Sequence, residues 1–106
     1  MKGTNLGEFQ EIVMLSILIL EENAYGVSIQ DELDRRMNRR NSRGALQTAL
    51  TRLEEKGLIS SEVGEPTPER GGRRKRYYKV TNSGLVTLRE AKTLREGMWK
   101  LIPKLS

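Results

Sequence analysis

The stretch NSRGALQTALTRLEEKG, residues 41–57, decides the fold. Ser42 can cap the start of a helix by accepting a hydrogen bond from a first-turn amide, and Gly57 can end it in the left-handed conformation. Between them Leu46, Ala49, Leu50 and Leu53 recur three and four residues apart and form one narrow apolar stripe. Thr48, Thr51 and Glu55 lie opposite, flanked by Gln47 and Arg52. Such a helix packs on one side and presents polar groups on the other.

Upstream, the spacing predicts a second helix from Val27 to about Asn38, with Ile29, Leu33 and Met37 one turn apart on its inner face. Before that, GEFQEIVMLSILILEE (7–22) carries apolar residues at almost every angle, which predicts a helix buried on nearly all sides. NAYG (23–26) separates the two, since Asn23 and Gly26 suit turns. Downstream, LISSEVGE (58–65) and RKRYYKV (74–80) have strand-like content, and PTPERGG (66–72) between them reads as a loop, which together make a β-hairpin. Thr81 can then cap a last helix through about Ile102, with Pro103 at its end.

Helix, helix, helix, hairpin, helix is the plan of a winged helix-turn-helix. The fold class expected is mainly α with a small β-hairpin, with a winged-helix unit over residues 1–80 and a dimerisation helix over 81–106.

Composition narrows the function. The chain has 106 residues, no cysteine and no histidine, which removes disulfides, thiolate metal sites and the commonest general base. Carboxylates pair only as neighbours along helices, where they point apart, so neither an active site nor a cofactor or metal is expected. The longest mainly apolar run, Ile12 to Leu20, is too short for a membrane span, and acidic residues flank it where a signal peptide would be basic. A cytoplasmic location, with no membrane partner, is the resulting expectation.

The net charge of +5 is unevenly placed. Residues 1–34 hold one basic and seven acidic side chains, residues 35–80 thirteen and five, and residues 81–106 five and two. A positive field confined to the middle of a chain suits a polyanion, of which double-stranded DNA is the commonest. In a helix-turn-helix, the N-terminal part of the second helix meets base edges. Ser42, Arg43, Gln47, Thr48 and Thr51 stand there, and Gln, Arg and Thr each have a matching base-edge partner in the major groove. Arg52 and the hairpin-tip cluster Arg70, Arg73, Arg74, Lys75 and Arg76 suit phosphates. The plainer readings are a solvated helix face and a basic surface loop. A rival function is a winged-helix protein-interaction module that grips an acidic protein without binding DNA.

The last helix carries Ala91, Leu94, Met98 and Leu101 at heptad spacing, widened by Leu85, Leu88, Trp99 and Ile102. A stripe this broad suits a homodimer interface formed by Leu88, Ala91, Leu94, Met98, Trp99, Leu101 and Ile102, the alternative being packing back on its own domain. Trp99, the sole tryptophan, is also a candidate platform for a small planar aromatic effector.

Several pieces resemble the phenolic acid decarboxylase regulator (PadR) family: Tyr25–Gly26, LQTALTRLEEKGLI over 46–59, RKRYYKVT over 74–81 and the following NSG, in order and spacing. The resemblance spans roughly residues 6–102. It implies a winged helix whose C-terminal helix packs against the partner's first helix. It also implies repression of nearby genes, relieved in some members by phenolic acids or planar cationic drugs near the dimer interface. Family members usually have tyrosine where this chain has Gln47, and the single short C-terminal helix is that of the smaller subgroup.

Overall fold

The computed structural model describes residues 6–65 and 74–104. Helices α1 (Glu8–Leu20), α2 (Gly26–Met37) and α3 (Arg43–Glu55) precede strands β1 (Ile59–Val63) and β2 (Arg76–Val80), and α4 (Asn82–Leu101) closes the chain. This is a winged helix with an added C-terminal helix, mainly helical with one antiparallel hairpin, as expected.

Helix α1 drives Val13, Met14 and Ile17 into the core, but Leu15, Leu18 and Ile19 stand exposed. The expected burial on nearly all sides is therefore not met within one chain. The α2, α3 and wing elements cover only one flank of α1, and its composition is richer than that flank requires. After Leu20 a single 3-10 turn, Glu21–Asn23, redirects the chain, and Glu21 takes a left-handed φ of 54°.

Gly26 is not a turn residue. It is the first residue of α2, while Ala24 and Tyr25 run extended beside the hairpin, where the Tyr78 amide donates to the Ala24 carbonyl at 2.9 Å and Tyr25 bridges Tyr77. This short third edge ties the wing to the helices, which matters because an isolated two-stranded hairpin is marginal in water. The Tyr25 amide donates to Ser28 Oγ at 3.0 Å and so starts α2.

Both ends of α3 form as the sequence predicts. Ser42 Oγ accepts from the Ala45 amide at 2.9 Å. At the far end Gly57 has φ +76°, its amide donates to the Glu54 carbonyl, and the Leu58 amide reaches back to Leu53 at 3.0 Å. Those two bonds satisfy carbonyls that the helix end would otherwise leave free.

In the hairpin, Ile59 pairs with Val80 and Val63 with Arg76. Ile59 and Tyr78 close the core below Ile29, Leu33, Leu46, Leu50 and Leu53. Thr81 then joins three elements: its Oγ1 accepts from the Gly84 amide and donates to the Gly57 carbonyl at 2.7 Å, while its amide donates to Leu58. Gly84 lies so close to this corner that an added Cβ would collide with the Leu58 carbonyl oxygen and stand 2.7 Å from Val80.

The first half of α4 packs down at Gly84, Leu88 and Ala91. Beyond Ala91 every residue from 92 to 104 is exposed. The radius of gyration, 15.8 Å, exceeds the roughly 13 Å of a compact chain this long, because α4 projects from the body. Leu88 and Ala91, placed in the dimer stripe by the sequence reading, are thus already covered by their own chain. Helical spacing could not separate them from Leu94 and its successors. Among the described residues, no helix is long and apolar enough to cross a membrane.

Candidate nucleic-acid interface

The turn between α2 and α3 is held by a carboxylate. Asp34 Oδ1 accepts from the amide and the side chain of Asn41, each at 2.9 Å, and Gln30 donates to the Asn41 carbonyl at 2.7 Å. The side-chain and then the backbone hydrogen bond from Asn41 hold the Asp34 carboxyl below the usual carboxylate range. Asn38 supports the bend with a left-handed φ of 53°. The result fixes the angle at which α3 leaves α2. No sequence pattern announced this lock, since its members are four to eleven residues apart and polar residues are common in turns.

On α3, Arg43, Gln47, Thr48, Thr51 and Arg52 are all exposed. They divide by direction. Gln47 and Thr51 face the wing across a cleft of about 390 Å³ that Arg76 and Tyr78 also line. Arg43 and Gln47 border a smaller cleft toward Gln30 and Asp31 of α2. Thr48 and Arg52 face the other way, onto an open groove beside Gly7 and Gln10. Ser42 is exposed too, with its oxygen engaged in the cap. Burial pushes the Tyr78 phenol up from its ordinary value.

The cations are less available than the sequence suggests. Arg35 and Arg36, two of the thirteen basic residues of the cationic stretch 35–80, both bind the buried carboxylate of Glu32 at 2.6 Å. The hydrogen bonds from Arg36 and then Arg35 hold the Glu32 carboxyl below its ordinary value. On the wing, Lys75 Nζ lies 4.1 Å over the Tyr25 ring, which itself meets Tyr77 edge to face at 5.6 Å between centroids. Arg76 donates to Ser61. Arg74 is exposed beside them, and Arg70 and Arg73 lie outside the described residues. Sequence reasoning missed Tyr25 as a wing residue. Its signal was the YG pair ahead of α2, which suggested a turn rather than an edge strand.

The far half of α4 presents Leu94, Met98, Trp99, Leu101 and Ile102 to solvent, with Trp99 63% exposed. Arg95 pairs with Glu11 of α1 where this half begins.

A family model described as the transcriptional regulator PadR-like family matches residues 14–90. A protein of Lysinibacillus sphaericus is 36% identical over 75 residues, which is 69% of this chain and 66% of that protein's length. Among solved structures, a PadR-like transcription factor from Bacteroides fragilis is 26% identical and superposes with a TM-score of 0.71 over 87% of this chain and 84% of its own. A PadR family regulator from Clostridium difficile is 29% identical, with a TM-score of 0.68 over 88% and 93%. One from Eggerthella lenta is 30% identical, with 0.64 over 92% and 88%.

Proposed function

The chain belongs to the PadR-like family of transcriptional regulators, and for this DNA-binding regulator we propose a homodimeric repressor that reads a palindromic operator. The observation that carries the reading is the exposed polar face of α3, fixed at both ends and by the Asp34 lock, beside a basic wing. Each α3 enters a major groove, the two about 34 Å apart. Ser42, Arg43, Gln47, Thr48 and Thr51 meet base edges. Arg52, Arg70, Arg73 and Arg74 hold phosphates, and Lys75 and Arg76 complete the positive field of the wing. The second copy covers Leu94, Met98, Trp99, Leu101 and Ile102 with its own α1, where Leu15, Leu18 and Ile19 are bare. A small planar aromatic effector docks at Trp99 in this arrangement.

Selection of bound sequences from a random duplex pool tests the reading. The expected product is palindromic, and its neighbouring genes should rise in transcription when the protein is removed. On that operator Gln47→Ala should lose roughly 1–3 kcal/mol and lose little on random duplex. Arg73→Ala with Arg74→Ala should weaken both duplexes and flatten the salt dependence by about 0.9 log unit per lost contact. Failure to retain any duplex from the pool at moderate salt would overturn the DNA reading and leave a protein-binding module as the rival to test.

A further inference from the structure

Arg76 opens β2 at the point where the hairpin leaves the body, and the sequence reading made it a phosphate ligand. Its Nη1 donates to Ser61 Oγ at 3.0 Å, and the Ser61 hydroxyl donates to Glu54 Oε2 at 2.8 Å. The three residues come from β2, β1 and the last turn of α3. They form a polar relay between the wing and the recognition helix. Glu54 and Arg76 both border the cleft that Gln47 and Thr51 share with Tyr78.

Two physical features argue against a phosphate at this place. A phosphate approaching Arg76 would also approach the Glu54 carboxylate, whose repulsion offsets the attraction. Moreover, the guanidinium is already oriented along the sheet face by Ser61, so turning it outward would break a hydrogen bond with a charged donor. A brace, by contrast, uses both charges. Among the described residues the strand pairing runs out to Val63 and Arg76, with the Gly64 amide donating to the Lys75 carbonyl beyond them, so a tie from Arg76 to α3 acts where it can fix the angle of the hairpin.

The geometry points to Arg76 as a positioning residue: relayed through Ser61 to Glu54, it sets the angle between the wing and α3, so that both reach one duplex together. This rests on the proposed DNA-binding role and adds a role for three residues, two of which, Glu54 and Ser61, the sequence reading left out.

The experiment measures affinity of the full chain for the selected operator over a salt series, with Ser61→Ala, Glu54→Gln and Arg76→Ala. Each variant should weaken operator binding about fivefold, the worth of one hydrogen bond. The Ser61→Ala and Arg76→Ala effects should not add in the double variant, and the salt slope of both should stay that of the parent. Two results would overturn the brace. One is a flattening of about 0.9 log unit in Arg76→Ala with Ser61→Ala silent, as for a lost phosphate contact. The other is tighter binding by Glu54→Gln, as for removal of a charge that merely repels DNA. If the unaltered chain binds no duplex, the DNA reading fails by itself. Amide exchange then decides the brace: faster exchange at Glu62 and Tyr77 in Ser61→Ala supports it, and unchanged exchange ends it.

Discussion

The two halves of α4 carry similar residues at similar spacing and end in opposite environments. In the first half Leu88 and Ala91 are buried against the body. In the second, Leu94 is 55%, Met98 60% and Leu101 80% exposed. The difference arises at Gly84, whose missing side chain lets the helix start close against Leu58 and Val80; from there α4 leaves the body within three turns. Apolar periodicity says that a face must be covered. It does not say by which chain.

The largest effect should come from the covered half. Leu88→Ala should cost about 2–5 kcal/mol of stability, from lost burial and the cavity left behind. Gly84→Ala should cost at least as much as ordinary overpacking, about 1–3 kcal/mol, because the obstacle is a backbone carbonyl that cannot rotate away. Urea unfolding at two chain concentrations measures both. The same loss at each concentration places Leu88 in the body, whereas a loss that disappears on dilution would move it to the interface and erase the contrast between the halves.

That contrast also marks the limit of the sequence. Helix order, the caps at Ser42 and Thr81 and the left-handed Gly57 all follow from local rules, because each is settled within a few residues. The Asp34–Asn41 lock, the Tyr25 edge and the pairing of Arg35 and Arg36 with Glu32 were not legible. Each depends on what stands beside a polar side chain in space, and charge counts treat an engaged arginine and a free one alike. The α1 face of Leu15, Leu18 and Ile19 shows the same limit for apolar residues: their apolar character predicts burial, and one chain does not supply it.

The exposed half supplies the next two tests. Leu94→Asp and Met98→Asp place a charge in the face proposed to meet the second copy, and each should weaken association about a hundredfold, equivalent to roughly 2.7 kcal/mol. Unlike Leu88→Ala, they should leave the helical content of the body intact. Sedimentation with circular dichroism reads both properties; an undiminished dimer in both variants would sink the homodimer. Trp99 offers a probe that needs no substitution. In one chain it is 63% exposed, so diluting a dimer to monomer should shift its emission to the red. A planar aromatic effector at Trp99 should change that emission and operator affinity together. If a broad panel at saturating concentration changes neither, Trp99 serves packing alone.

The smallest effect lies at the boundary between the halves, and it sharpens the comparison most finely. Arg95 follows Leu94 directly and pairs with Glu11 across from α4 to α1, with the arginine side chain 51% and the glutamate 15% exposed. In a lone chain such a pair is reached by solvent and is worth under about 1 kcal/mol, less as salt rises. Arg95→Ala, Glu11→Gln and the double variant form a cycle that isolates the coupling. At chain concentrations below the dissociation constant, where chains are single, that coupling should be small and fall with added salt. In the dimer the second copy's α1 is proposed to lie along this part of α4, shielding the pair from solvent, so the coupling should grow and lose its salt dependence. A coupling that stays equally weak and equally salt-sensitive in the dimer would mean that the partner's cover begins beyond Arg95, and the boundary between self-covered and partner-covered α4 would then move toward Met98.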